Sequence, residues 1–158
     1  MNSPDGLEDR LKGILEAGRQ YFNMEAAIVS KVAGESYKIV IGITRLPFFK
    51  TGDVFRLSET YCREVIRTRS TVYYNQVGLI GIMRLHPAYR SLHLESYIGT
   101  PLTVDGRLWG TLNFSSIEAR EIHFTDKDID FIETLAIKTS RILKDLNQDS
   151  FTRPGTPN

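Results

Sequence analysis

The chain has 158 residues, of which 41% are hydrophobic and 25% are charged, and its net charge is +1. These values are typical of one soluble globular domain and exclude a strongly charged surface that would attract nucleic acid or anionic membranes. No apolar run is long enough to span a bilayer, no signal-peptide pattern is present, and a lone cysteine excludes an internal disulfide. The composition therefore predicts a cytoplasmic domain.

The first half of the chain predicts one helix followed by short strands and a second helix. Apolar residues at helical spacing from Leu7 to Phe22, with Ser3 as N-cap and Pro4 in the first turn, predict the opening helix. The other predicted elements here are strands at residues 26–32, 37–44, 55–57 and 71–75, a turn at Gly34, and a helix at residues 59–68 capped by Ser58.

The second half predicts a hairpin and a long helix. Two β-rich runs, residues 96–104 and 109–115, flank Asp105-Gly106, a pair that favours a tight turn because glycine tolerates a positive φ. The final helix is predicted to begin at Thr125, where Asp128 completes a capping box.

These motifs together resemble a GAF domain from about Leu7 to Leu146. The motifs are LESYIGTPLTVDGRLWGTLNFSS at residues 94–116, the following F-T-x-x-D at residues 124–128, ETYC at residues 59–62 and HPAY at residues 86–89. The resemblance implies an α+β fold with an antiparallel sheet of about six strands. It also implies terminal helices packed on one face and a helix-loop cover over a ligand pocket. The function that it implies is a small-molecule sensor in a signalling protein.

The domain is predicted to occupy residues 1–146, because residues 147–158 are polar and contain two prolines. We expect those last residues to be disordered, or to start a linker to an output domain. The resemblance implies that such an output is, for example, a nucleotide or diguanylate cyclase or a histidine kinase.

The final helix carries apolar residues on more than one stripe: Ile129, Ile132, Ala136 and Leu143, together with Phe131, Leu135, Ile142 and Leu146. A second apolar face implies a second partner, so we expect a homodimer through the terminal helices. The alternative is that the sheet buries more of this helix than usual.

Catalysis has little support in the sequence. Phosphate-binding, zinc-protease and nucleophile-elbow motifs are missing, the carboxylates are scattered, and His86, His93 and His123 do not have metal-ligand spacing. We therefore predict no catalytic residue, no metal and no cofactor. Bilin-binding relatives attach their chromophore through a cysteine of the segment covering the pocket, whereas Cys62 lies in the preceding helix, so no chromophore is expected.

The segment of residues 75–97 is long for a connection, which is typical of a functional segment. Its aliphatic residues should be buried: Leu79, Ile80, Ile82, Met83, Leu85, Leu92 and Leu94. Its arginines, histidines and tyrosines suit a small anionic ligand with a planar part. The candidate ligand-binding residues, in and beside this segment, are Asn75, Arg84, His86, Tyr89, Arg90, His93, Tyr97, Thr100 and Asn113.

This set predicts a cyclic nucleotide such as cAMP as the ligand. Its phosphate would meet Arg90 or Arg84, or backbone N–H groups where a short helix begins near Pro87, and its base would lie against Tyr89 or Tyr97. The Asn-Lys-x(n)-Phe-x3-Asp-Glu signature found in many cyclic-nucleotide-binding GAF domains is missing, since the chain has no Asn-Lys pair. Surface positions for the arginines, and an exposed polar strand face for Asn113, are the alternatives. Rival functions are a ligand-free dimerisation or protein-interaction module and, third, a redox module built on Cys62.

Overall fold

The structure, a computed structural model, describes the backbone of residues 4–152 and the side chains of residues 6–146. The α-helices are α1 (Pro4–Phe22), α2 (Cys62–Thr68), α3 (Pro87–Leu92) and α4 (Asp126–Thr152). The strands are β1 (Ala26–Ala33), β2 (Ser36–Thr44), β3 (Val54–Arg56), β4 (Val72–Tyr74), β5 (Ser96–Val104) and β6 (Arg107–Ser116). Short 3₁₀ helices lie at Leu57–Glu59, Val77–Leu79 and Gly81–Leu85.

The strands form one antiparallel sheet in the order β3-β2-β1-β6-β5-β4, which confirms the predicted α+β fold. The β5–β6 hairpin turns at Asp105 and Gly106, whose φ angles are 53° and 75°. Both residues thus adopt the positive φ of the tightest hairpin turns, as the Asp-Gly pair predicted. The β1–β2 turn likewise contains Gly34, with a φ of 58°.

Helices α1 and α4 pack against each other and against one face of the sheet, as predicted. Phe22 at the end of α1 illustrates this packing. Its ring centroid lies 5.1 Å from that of Phe114 on β6 and 5.7 Å from that of Phe131 on α4. The two helices and the sheet therefore share one core.

The apolar surplus of α4 is buried inside this one chain. Ile132, Leu135, Ala136, Ile142 and Leu143 are each at most 7% exposed, because α4 packs on both β5 and α1. The alternative considered above assigned this burial to the sheet alone, whereas in the structure the sheet and α1 share it. The surplus therefore gives no argument for a second subunit, and the homodimer remains a prediction without this support.

The opposite face of the sheet is covered by α2, α3 and the three 3₁₀ helices, which together we call the cover. Along β6, Leu112 and Phe114 belong to the core beneath α1 and α4. The alternate residues Thr111, Asn113 and Ser115 point to the cover side, since successive side chains of a strand point to opposite faces. The sheet thus separates two cores, and a strand such as β6 contacts both.

The second predicted helix begins later than expected, and Ser58 does not cap it. Ser58 lies within the 3₁₀ helix Leu57–Glu59, and α2 starts after Tyr61 without a side-chain cap. Leu57 and Tyr61 are 5% and 3% exposed, and Tyr61 Oη donates to Leu94 O at 2.7 Å. Burial of these two side chains outweighs the local capping preference.

Helix α4 begins next to its predicted cap, since the Thr125 N–H donates to Asp128 Oδ2 at 2.8 Å. Its backbone continues past Leu146 to Thr152, six residues into the predicted tail. The first residue that cannot continue a helix is Pro154, and residues 153–158 lie outside the described residues, as does the predicted cap Ser3. Within the described residues, no helix is long and apolar enough to cross a membrane.

Candidate ligand-binding site

A cavity lies between the sheet and the cover, and we call it the sheet–cover cavity. Strands β1, β2, β5 and β6 form its floor, and α2, α3 and the chain between β2 and α2 form its walls. The lining residues are Ile28, Tyr37, Phe49, Phe55, Glu59, Thr60, Tyr61, Cys62, Ala88, Leu92, Leu94, Tyr97, Asn113 and Ser115. An apolar, aromatic cavity with a few convergent polar groups has the composition of a small-molecule site.

The cavity volume is about 50 Å³. Pockets for drug-sized ligands have volumes of roughly 300–1,000 Å³. A molecule of a few heavy atoms is therefore the size that suits the present shape, and a nucleotide or tetrapyrrole would require the cover to move outward. Two larger grooves, of about 480 and 420 Å³, lie beside α4. Both are more open to solvent than the sheet–cover cavity and lack its convergent buried polar groups.

Asn113 lies at the centre of a buried hydrogen-bond network on the cavity floor. Asn113 Nδ2 donates to Tyr37 Oη at 3.1 Å and to Thr111 Oγ1 at 3.2 Å. Thr111 Oγ1 also lies 2.6 Å from Ser30 Oγ. Because these groups are buried and paired with one another, their positions are fixed by the fold. A ligand in the cavity would meet preorganised donors and acceptors.

Cys62 joins the same network from the cover side. Its Sγ lies 3.0 Å from Tyr97 Oη, and Thr111 Oγ1 donates to it at 3.3 Å. Burial raises the pKa of the Cys62 thiol, and burial also raises the pKa values of Tyr37 and Tyr97 well above the usual value for tyrosine. These groups are therefore neutral near neutral pH. The cavity offers uncharged donors and acceptors, and Cys62 is not a nucleophilic thiolate.

Among the candidates from the sheet, the structure brings Tyr97 and Asn113 to the cavity but not Thr100. Thr100 is three residues from Tyr97 on β5 and so points to the opposite face, where its Oγ1 lies 2.8 Å from Thr71 Oγ1. Asn75 also lies outside the lining. Its Oδ1 accepts a hydrogen bond from the Phe124 N–H at 3.0 Å, which fixes the start of α4.

The charged candidates of the cover do not line the cavity. Arg84 and Arg90 are exposed, and so is His93, which ends α3 with a φ of 54°. Tyr89 is half-buried, and its ring centroid lies 5.4 Å from that of His93. The predicted contacts of a phosphate with these arginines and of a base with Tyr89 are therefore not present around this cavity.

His86 has a structural position at the start of α3. Its Nδ1 accepts a hydrogen bond from the Ala88 N–H at 3.0 Å, and its ring centroid lies 4.8 Å from that of Tyr61. Burial lowers the pKa of His86, which favours the neutral ring that can accept this bond. His86 therefore shapes the cover and does not itself line the cavity.

The expectation that the aliphatic residues of the cover are all buried is wrong for four of them, Leu79, Ile80, Ile82 and Leu85. Leu79, Ile82 and Leu85 are 78%, 81% and 69% exposed, and we call these three residues the cover patch. Ile82 and Leu85 are three residues apart in one 3₁₀ helix, which turns once every three residues, so these two fall on the same side; Leu79 ends the preceding 3₁₀ helix. Leu94 is buried as expected, while Ile80 is partly exposed.

Sequence reasoning missed the aromatic walls of the cavity. Tyr37, Phe49, Phe55 and Tyr61 come from four different elements or loops, so no single segment displays them together. The one sequence signal for these walls was the alternation of side chains along β2. It places Tyr37 and Ile39 on the same face of the strand, and that face is buried in the structure. The carboxylate of Glu59 was also missed, because ETYC contributed only to the family resemblance.

Comparison with known proteins identifies the fold. The family model of the GAF domain matches residues 6–143, whereas no curated protein sequence matches the chain at a significant level. A solved structure of the blue-light absorbing form of the Thermosynechococcus elongatus PixJ GAF domain is similar, with a TM-score of 0.71 and 18% identity over 96% of this chain and 95% of that one.

Two further solved structures cover most of the chain. A phycocyanobilin-bound GAF domain from a cyanobacterial phytochrome has a TM-score of 0.70 and 12% identity over 90% of this chain and 87% of that one. The free methionine-R-sulfoxide reductase of Neisseria meningitidis, in complex with its substrate, has a TM-score of 0.67 and 17% identity over 88% and 80%. At these identities the similarity shows the fold alone.

Proposed function

Because the chain belongs to the GAF domain family, we propose that it is a regulatory module that binds a small molecule in the sheet–cover cavity. The observation that carries this proposal is the cavity itself. Aromatic side chains such as Tyr61 and Phe55 wall it, and the network around Asn113 supplies fixed polar groups on its floor. Few sites in a small domain combine enclosure with convergent buried polar groups.

The fold offers a route from this cavity to an attached output module. Strand β6 contributes Asn113 to the cavity and Leu112 and Phe114 to the core beneath α1 and α4. A ligand that shifts β6 would therefore change the packing of α4, whose backbone is helical to Thr152. We propose that α4 transmits the bound state to an output such as a cyclase or a histidine kinase.

The cyclic nucleotide predicted from the sequence is one specific ligand for the proposed site. Tyr61 and Tyr97 line the cavity, but their rings pack edge-to-face on each other, with centroids 5.4 Å apart, so a base would have to separate them or stack on an outer face. Its phosphate, however, has no cationic partner in the lining, and the volume of about 50 Å³ requires an opened cover. cAMP therefore stays a prediction to be tested beside smaller ligands.

A bilin, which one similar structure contains, does not fit this cavity. A tetrapyrrole far exceeds the present volume, and the buried Cys62 thiol is neutral because burial raises its pKa. We derive no chromophore chemistry for this chain, and the same neutral thiol gives no support to a redox activity built on Cys62.

The cover patch favours a second candidate function, a protein-interaction module. Leu79, Ile82 and Leu85 are all strongly exposed within one short segment, and such exposed apolar residues mark surfaces that contact another protein. This candidate does not require a ligand in the cavity. A homodimer through α1 and α4 remains a further proposal, and light scattering at increasing protein concentration tests it.

Thermal unfolding in the presence of cAMP, cGMP, amino acids, tetrapyrroles and small amines tests the proposed function. A compound at a hundred times its Kd should stabilise the protein by about 2.7 kcal/mol, or roughly 5–11 °C for a domain of this size. Ala88 lines the cavity and is 4% exposed, so Ala88→Leu should fill the cavity and abolish the shift. A shift that persists in Ala88→Leu, or no shift with any compound, would favour the interaction module.

A further inference from the structure

Glu59 is the single charged side chain among the described residues that line the sheet–cover cavity. It lies in the 3₁₀ helix Leu57–Glu59 and is exposed, so its carboxylate is at the cavity mouth. The other polar lining groups belong to hydroxyl, thiol and amide side chains and are neutral. The electrostatic character of the site is therefore set by one negative charge at its entrance.

The Glu59 carboxylate has no partner in the described part of the chain. It forms no salt bridge and no side-chain hydrogen bond there, although Arg56 and Arg63 are close in sequence. Other carboxylates of the same surface are engaged; Glu64, for example, pairs with Arg67 at 2.7 Å. A free carboxylate at a cavity mouth leaves its hydrogen-bond acceptors available to a ligand.

The walls behind Glu59 are aromatic. Ring centroids lie 6.4 Å apart for Tyr37 and Phe55, and 6.1 Å apart for Phe49 and Phe55. Such walls suit the hydrocarbon part of a small ligand. An anionic ligand would find no cationic partner among the lining residues.

We infer that the ligand of the sheet–cover cavity is a small primary amine, with its ammonium group at Glu59 and its short apolar body between the aromatic walls. This inference rests on the proposed function and names the ligand class for the same cavity. Holding the ammonium at the mouth keeps it partly hydrated and paired, which avoids the large cost of burying an isolated charge. The apolar body suits a volume of about 50 Å³.

Three compounds that share one carbon skeleton and differ in charge separate the effect of charge from that of shape. They are isopentylammonium, which is positive, isopentanol, which is neutral, and isovalerate, which is negative. Each is titrated into the whole chain near neutral pH, with binding followed by NMR at Tyr97 and Asn113. Isopentylammonium should bind roughly 1.4- to fivefold more tightly than isopentanol, the range of a solvent-exposed ion pair, and isovalerate should bind weakest. Glu59→Gln should remove this preference. Glu8→Gln, an exposed carboxylate on α1 across the sheet, is the matched control and should preserve it.

Each other outcome overturns the inference. Equal binding of isopentanol and isopentylammonium at Tyr97 and Asn113 would refute the amine while leaving the cavity as a ligand site. A preference for the ammonium that survives Glu59→Gln would remove Glu59 from the site. If no compound perturbs Tyr97 or Asn113, the amine proposal is refuted. The thermal-unfolding panel, with Ala88→Leu as its control, then tests the proposed function separately.

Discussion

The burial of α4 within one chain leads to a quantitative prediction for Leu135 and Ile137, two residues apart on that helix. Leu135 is 6% exposed and packs beside Gly18 of α1, whereas Ile137 is 57% exposed. Leu135→Ala should lower the free energy of unfolding by about 2–5 kcal/mol, because it removes buried methyl groups and leaves a cavity. Ile137→Ala should change it by no more than about 0.5 kcal/mol.

Urea denaturation, combined with light scattering at two protein concentrations, measures both effects. For a loss of about 3 kcal/mol the melting temperature should fall by roughly 6–12 °C in a domain of this size. The opposite result would be a Leu135→Ala variant with unchanged stability and an Ile137→Ala variant whose stability falls in a concentration-dependent way. That result would mean that a second copy of the chain covers α4.

Three further predictions concern the cover, the start of α4 and the sheet. Since burial lowers the pKa of His86 below its unfolded value of about 6.5, the wild type should lose stability as pH falls from about 7.5 to about 5.5. His86→Asn, which keeps a helix-capping oxygen but does not titrate, should lose less in urea denaturation at the two pH values. Asn75→Ala should cost about 1–2 kcal/mol in thermal unfolding, through the lost hydrogen bond to the Phe124 N–H, without changing ligand affinity. Gly110→Ala should cost about 3 kcal/mol or more in urea denaturation because a Cβ there would overlap the backbone of β1, whereas Gly81→Ala, with open space around it, should not disturb packing.

Local chemistry made much of the fold predictable. The Asp105-Gly106 turn and the Thr125 cap each depend on the conformational preferences of one or two residues, and both were placed correctly. Ser58 was misplaced as a cap because burial of Leu57 and Tyr61, which depends on distant strands, determines the backbone there. The sequence alone does not show that burial of these side chains outweighs capping by Ser58.

The candidate site was predictable only in part. Period-two alternation showed that Asn113 shares a face with Ser115, but not which face meets the cover. The arginines were misplaced because composition shows that residues 75–97 are basic without showing which side of the segment faces inward. Arg84 and Arg90 face solvent, and the walls come instead from residues such as Phe55, far away in the sequence. Convergence of distant segments is a property of the fold, so a motif search misses it.

The most direct test of the account is to locate a bound molecule in the sheet–cover cavity. Intermolecular NOEs should be recorded for the panel compound with the largest thermal shift, in the wild type and in Ala88→Leu. Binding in the sheet–cover cavity should give NOEs to Leu94, Tyr97 and the side-chain amide of Asn113, all lost in Ala88→Leu. NOEs to Thr100, on the opposite face of the sheet, or NOEs that survive in Ala88→Leu, would contradict it.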